Sequence, residues 1–383
     1  MTSADAGLRV FAAPARYVQG PGALGALGSL LAEHGSRALV IGDTLVLDLL
    51  GDRVRAVLEP HGVSATCRAL RGDITADAAD TLAAPAADGD TALVDVVVGL
   101  GGGKSLDAAK AVALRLDRPV VTVPTIASND SPTSAAVAMY DDRHVLVAVD
   151  HLRMNPVAVV VDTELIAAAP TGFLRAGVGD ALAKKYEARG CADGTGLTPL
   201  GTRPLLTGLA IADACWSTIQ EFAVPGLRDC DRGMVTPALE ALVEAVVLMS
   251  GLGFENGGLS LAHSLTRGLM PARGASTAMH GHQVAWALLV QREVEGADDP
   301  ELAELATFLT RVGLPTSLAE LGMSEATPQE VDEIARLTMT APHLDNLVRP
   351  TTQDDVVAAI RRVEHRARTQ SDTRATASTA TAP

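Results

Sequence analysis

The sequence predicts an open α/β sheet domain followed by an all-helical domain. Three observations predict it. Near-continuously apolar, β-branched runs alternate with helical periodicity over residues 1–168, the pattern of parallel strands covered on both faces. Strand signals then stop around Ala168, Pro170 and Thr171, and helical periodicity continues alone. The composition, with 35 glycines and only 3% aromatics, suits closely packed layers of small side chains.

The runs RALVIG (37–42), ALVDVVVG (92–99), PVVTVP (119–124), HVLVAV (144–149) and VAVVVD (157–162) read as strands. Between them, 22–34, 44–58 and 104–116 read as helices, so the connections are crossovers of an open sheet. Beyond 168, helices are expected at 172–189, 203–222, 236–252, 258–270, 280–294, 299–312, 328–340 and 352–367. The domains are drawn as 1–168, 169–367 and a Thr/Ala/Ser-rich tail, 368–383, expected to be disordered. A cleft between the two domains is the default ligand site. No repeat of fixed period is visible.

The chain has 383 residues and a formal net charge of −15. Such an acidic chain has no general attraction for nucleic acid or anionic membrane, although a small phosphorylated ligand at one local site stays possible. Cys67, Cys191, Cys215 and Cys230 form no C-x-x-C pair, which argues against a disulfide framework or a cysteine zinc site. The first residues lack a basic region followed by an apolar stretch, so no signal peptide is expected. No apolar run is read as reaching the ~18–20 residues of a membrane span. The expectation is a soluble cytoplasmic protein.

The most informative local feature is VVVGLGGGKSLDAAKAVA (96–113), an apolar strand entering a glycine turn and then a helix. Glycines let backbone approach a ligand, and the free amides of a helix start can hold phosphate oxygens. A P-loop would need glycine where Val98 stands, and a G-x-G-x-x-G loop would need it where Lys104 stands. The turn is therefore a phosphate cradle of another kind or a tight structural turn. Asp43 closes IGD (41–43) at a strand end, where a carboxylate can accept ribose hydroxyls and repel a 2′-phosphate, or simply cap helix 44–58. The loop within VPTIASNDSPTSAAVAMY (123–140) follows a strand's carboxyl end. Thr125, Ser128, Asp130 and Ser134 there can reach a cofactor or polyol, or can merely make turns.

In the helical half, His263 sits in ENGGLSLAHSLTRGL (255–269), His280 and His282 in STAMHGHQVAWALL (276–289), and Asp180 in GVGDALAKKYEAR (177–189). Two imidazoles and a carboxylate are a donor set for catalytic Zn²⁺ or Fe²⁺. Their separation in sequence leaves open whether they meet, and a lone helical histidine is more often a hydrogen-bonded core residue.

Over residues 10–365 the chain resembles glycerol dehydrogenases of the group-III, iron-type alcohol dehydrogenase family. RYVQGPGAL (16–24), GGGKSLDAAKAVA (101–113), PTIASNDSPTSA (124–135), VGDALAKKYEAR (178–189), ENGGLSLAHS (255–264) and HGHQVAW (280–286) carry the resemblance in order. It implies an N-terminal dinucleotide-binding α/β domain and a C-terminal helical metal domain, the dehydroquinate synthase-like fold. It also implies NAD as cofactor, Asp180, His263 and His280 as ligands of a metal, and Gly102, Gly103 and Lys104 on the NAD pyrophosphate. By the same resemblance Asp43 takes the adenosine ribose, Thr125, Ser134 and Tyr140 contact NAD, and Asp130 holds a substrate hydroxyl.

Departures from the family pattern sharpen the expectation. Thr266 stands where a further histidine is usual, which favours three protein ligands and zinc over iron. Arg267, Arg273 and His282 also depart, which opens the substrate to phosphorylated, carboxylated or amino-cyclitol alcohols. His282 is a candidate proton relay, because its ordinary pKa lies near neutrality. The expected reaction is metal- and NAD-dependent oxidation of a secondary alcohol of a vicinal diol to a ketone, or the reverse, in a homo-oligomer. The competing readings are an NAD- and zinc-using sugar-phosphate cyclase and an inactive nucleotide-binding relative.

Overall fold

The computed structural model describes residues 7–84, 94–141 and 145–380, with side chains as far as 369. The ends of two expected strands, 92–93 and 144, lie outside the described residues.

The strands are β1 (Tyr17–Gly20), β2 (Arg37–Asp43), β3 (Ser64–Leu70), β4 (Val96–Gly101), β5 (Val120–Pro124), β6 (Ala136–Tyr140), β7 (Leu146–His151) and β8 (Ala158–Asp162). Six of them form a parallel sheet in the order β1-β8-β5-β4-β2-β3. Helices α1 (Leu27–Ala32), α2 (Thr44–Leu58), α3 (Ala76–Ala83) and α4 (Gly103–Leu116) supply the crossovers. Side-chain alternation along each strand feeds two cores. Val40, Val98, Val121 and Val160 pack with Leu27, Leu31, Val54 and Leu58. Leu39, Ile41, Val97 and Val120 pack with Ala108 and Val112 of α4. The small residues of α4 allow close approach, and a Cβ on Gly99 would lie 2.9 Å from Ala109 Cβ.

Two strands of the main sheet carry no clear signal in the sequence. β1 and β3 are its edges, and their side chains are mostly half-buried. Edge strands have one wet side, so continuous apolarity is not required of them.

The run 144–149 needs correction as a member of the open sheet. Its strand β7 pairs antiparallel with β6 in a separate two-stranded sheet. A short connection between these strands permits an antiparallel pair, whereas a parallel pair needs a crossover of a dozen residues or so.

After β8 the chain is helical: α5 (Thr163–Ala168), α6 (Thr171–Leu182), α7 (Lys184–Asp193), α8 (Leu206–Asp231), α9 (Pro237–Glu244), α10 (Ser250–Gly257), α11 (Leu261–Leu269), α12 (His280–Glu295), α13 (Asp299–Val312), α14 (Pro328–Thr338) and α15 (Gln353–Ala380). The expected helix 172–189 is broken at Ala183 into α6 and α7. Side chains start several helices, with Thr236 capping α9, Asp298 capping α13, and Thr327 with Glu330 forming a capping box on α14.

Two further expectations are corrected. The tail from 368 is not structureless, because α15 continues to Ala380. Adding residues to an existing helix avoids the cost of a new nucleus, so a tail of alanines and polar residues can propagate it. The helix 237–257, α9 to α10 through a π-helical turn at Ala245–Met249, is long and apolar enough by length and composition to cross a bilayer. Half of its apolar window is buried inside the protein, and Glu240 on it accepts hydrogen bonds from Gln19 Nε2 (2.7 Å) and Thr163 Oγ1 (2.6 Å). That is the setting of a core helix.

By compactness the chain forms a sheet unit, Phe11–Val178 with Ser217–Glu255, and a helical unit, Met1–Val10 with Gly179–Trp216 and Asn256–Pro383. The division at 168 follows the change of element type, whereas the compact sheet unit also takes in helical segments.

Candidate active site and metal centre

In the sheet unit, β2 and β4 are neighbours, yet β2 leads outward to β3 and β4 leads the other way to β5. The reversal is a topological switch point, where open α/β sheets form a crevice at their strands' carboxyl ends. A cleft of about 390 Å³ opens there, and its lining includes Asp43, Gly102, Gly103, Lys104, Ser128 and Asn129. Gly101 adopts φ +137°, a backbone conformation suited to glycine. A Cβ on Gly103 would lie 2.6 Å from Asn129 Nδ2, so a side chain there has to push the Asn129 amide aside. Gly102 is the N-cap of α4 and offers no side chain to the first-turn amides, an arrangement compatible with an anion at a helix start. Lys104 pairs with Asp73 beside the cleft.

Asp43 fills the capping role, and it stands at the cleft. Its Oδ1 accepts from Val46 N at 2.9 Å and caps α2, while the residue also lines the cleft. Its own amide donates to Ser105 Oγ at 3.1 Å, joining the end of β2 to α4. Thr125 and Ser134 are buried on the loop after β5, and Tyr140 ends β6. Burial, with Asp107 and Asp73 nearby, pushes the Tyr140 phenol up to about 12. These three residues and Asp130 are not among those lining the cleft. Asp130 Oδ2 accepts from Ser250 Oγ at 3.4 Å.

In the helical unit, Asp180 on α6, His263 on α11 and His280 at the start of α12 come together. One donor atom from each lies within 4.8 Å of the others. His263 Nε2 is 3.1 Å and His280 Nε2 3.9 Å from Asp180 Oδ1. Asp180 is buried, His263 half-buried and His280 exposed, so the cluster opens on the His280 side. Glu187, fully buried on α7, faces His263 Nδ1 at 2.6 Å and accepts from the amides of Ser260 (2.9 Å) and His263 (3.0 Å). A carboxylate behind one ring nitrogen orients the other toward a metal, the usual second support of a ligating histidine. The donor set therefore fits a divalent cation.

Lys184, also without exposure, places Nζ 2.7 Å from Asp180 Oδ1 and 3.1 Å from His263 Nε2. Burial alone would raise the Asp180 pKa, but the Lys184 ammonium and both imidazoles outweigh it and hold the carboxyl far below the usual range. Burial would lower His263, and Glu187 chiefly reverses this, bringing it to about 9 in the metal-free cluster. Thr266 turns back on its own helix, donating to His263 O at 2.7 Å. Arg267 Nη1 donates to Thr340 O (3.2 Å), and Arg273 pairs with Glu330 (3.3 Å). His282 is half-buried in the first turn of α12, its amide donating to Met279 O at 2.9 Å.

Glu187 and Lys184 were not singled out from the sequence. A signal existed, since Lys184 lies four residues after Asp180, a spacing that pairs charges on helices.

A profile of the iron-containing alcohol dehydrogenases matches residues 14–163. A glycerol dehydrogenase of Thermotoga maritima is 37% identical over 91% of this chain and 94% of its own length. The chain belongs to the iron-containing alcohol dehydrogenase family. It is an oxidoreductase of the glycerol dehydrogenase-like group within that family, as its sequence motifs imply. A glycolaldehyde reductase of Halobacterium salinarum is 35% identical over 84% of this chain and 87% of its own length. The solved structure of glycerol dehydrogenase from Schizosaccharomyces pombe superposes with a TM-score of 0.90 at 30% identity, covering 96% of this chain and 93% of that one.

Proposed function

We propose that this protein oxidises a secondary alcohol of a glycerol-like vicinal diol to a ketone, or reduces the ketone, with NAD and one divalent metal, zinc in preference to iron. The observation that carries this reading is the meeting of Asp180, His263 and His280, with His263 fixed from behind by Glu187. A cation held there supplies Lewis acidity to the alcohol oxygen, and NAD supplies the hydride acceptor. Three protein donors and the inward-turned Thr266 support zinc with a position left for substrate.

The protein's own residues do the positioning. Gly102, Gly103 and Lys104 hold the pyrophosphate, and Asp43 holds the adenosine ribose and disfavours NADP. Sheet order supports a direction for the dinucleotide: Asp43 lies on β2, the glycine turn on β4 and the polar loop on β5. The nicotinamide half therefore falls on the loop, where Thr125 and Ser134 are, with Tyr140 further along. Asp130 orients a hydroxyl beside the reacting one, and His282 passes the proton toward solvent. We place the protein in the cytoplasm as a homo-oligomer acting on a small alcohol or ketone, not on nucleic acid or membrane.

The relatives described above are named as dehydrogenases and a reductase, which supports this chemistry over a cyclase or an inactive relative. The glycolaldehyde reductase widens the substrate range to small hydroxyaldehydes. The test is a panel of vicinal diols, hydroxyaldehydes, amino-cyclitols and phosphorylated alcohols, followed by NADH absorbance. The expected result is NADH accumulation with a diol, abolished by a chelator and restored by zinc. Product without net NADH would point to the cyclase.

A further inference from the structure

The segment Ser131–Ala136 is irregular until β6 begins, yet buried side chains hold its backbone almost group by group. Lys110, with no exposure on α4, donates from Nζ to the carbonyls of Ser131 (2.6 Å) and Ala136 (2.9 Å). Thr122 Oγ1 on β5 donates to Pro132 O at 2.7 Å. Asn155 Nδ2 donates to Thr133 O at 2.9 Å and to Glu255. Glu255 Oε1 accepts from Ala135 N at 2.8 Å. Asp107, one turn before Lys110, pairs with it at 3.3 Å and accepts from Ser131 Oγ at 2.5 Å and from Ala138 N at 3.2 Å.

A wholly buried ammonium is costly unless its hydrogens meet acceptors. Here those acceptors are the two ends of one loop segment, 131 and 136. A segment that only had to turn could use its own Ser, Thr and Asn side chains. This one has such local bonds, Thr133 Oγ1 donating to Asp130 O at 3.3 Å, and in addition draws on α4, β5, the 152–157 stretch and α10. Asp130 immediately precedes the fastened segment and Ser134 lies inside it.

We infer that Lys110, with Thr122, Asn155 and Glu255, is a positioning residue that presets Asp130 and Ser134 for the nicotinamide half of the cofactor and for the substrate. None of the four touches the ligand; they act through the loop. The inference rests on the proposed function for its ligand, while the fastening itself is a matter of geometry.

The experiment compares Lys110→Met and the isosteric Thr122→Val with the wild type at a temperature where circular dichroism shows all three folded. Dissociation constants are measured for NAD and for ADP-ribose, with kcat and KM for the best diol. A strained or released loop should weaken NAD about tenfold in Lys110→Met, the size of one lost buried hydrogen bond. ADP-ribose, held by the turn and Asp43, should stay within about twofold, as expected of independent sites. The kcat/KM for the diol should fall with the loss of NAD affinity. Thr122→Val should show the same split at smaller size, and it carries the test alone if Lys110→Met does not fold. Equal weakening of both ligands, or no change in either ligand or in kcat/KM, overturns the inference. Wild type that binds both ligands but turns over no alcohol overturns the proposed reaction alone. In that case the NAD and ADP-ribose comparison still decides the role of Lys110.

Discussion

In the helical unit, helix packing brings together polar side chains from three helices; in the sheet unit, the cleft is lined by a glycine turn and the side chains around it. The two regions tolerate change differently. The cluster depends on residue identity at Asp180, His263 and His280, on Glu187 behind His263 and on Lys184 beside Asp180. The cleft turns at Gly101, whose φ of +137° favours glycine, and its lining includes Gly103 and the carboxylate of Asp43. Charge clusters fail when one partner is removed, since an uncompensated buried charge remains. Backbone cradles fail when something is added.

This contrast can be broken by substitutions that should affect one region only. The largest expected effect is from His263→Ala, which removes a metal donor. Turnover should fall by about 10³-fold or more, since Lewis acidity supplies several kcal/mol. ADP-ribose affinity, measured by calorimetry, should stay unchanged. A parallel loss of ADP-ribose binding would show that the regions are not separable in this way.

Glu187→Gln comes next. It should weaken metal affinity about 10–100-fold in a chelator competition, the usual cost of losing a carboxylate behind a ligating histidine. Unaltered affinity would remove Glu187 from the support of the metal. Gly103→Ala tests the other region: its added methyl must displace Asn129, so NAD affinity should drop about tenfold with metal content intact. Full NAD affinity in that variant would detach the glycine turn from the cofactor. An effect of the same size is expected from Asp43→Ser, which should cut the preference for NAD over NADP by about tenfold, the worth of one charged hydrogen bond. An unchanged cofactor ratio would leave Asp43 only as the cap of α2.

The same contrast explains what could be read from the sequence. Strands β2, β4, β5 and β8 announce themselves because both faces are covered and most of their residues are apolar. The edge strands β1 and β3 do not, since half-buried positions there admit Arg68, whose guanidinium donates to the carbonyls of Leu82 and Ala84. The glycine turn is local, so its strand–turn–helix context is visible in a single stretch. The metal donors are not local: Asp180 and His263 are brought to 3.1 Å by helix packing that no spacing rule encodes, and family resemblance supplied that grouping. Lys110 and Glu255 were illegible for another reason. A charged residue in a helix ordinarily reads as solvent-facing, and only the fold shows that these two are buried against a loop. The tail beyond 368 was misread because composition alone hides that α15 already provides a helical template.

Asp180, His263 and His280 are proposed to hold one catalytic divalent ion. Metal analysis and X-ray absorption on the protein after dialysis against zinc test it most directly. One zinc per chain is expected, in a shell of nitrogen and oxygen donors with imidazole scattering, and no zinc is expected to stay with His263→Ala. Zinc retained equally by that variant, or a first shell containing sulfur, would contradict it.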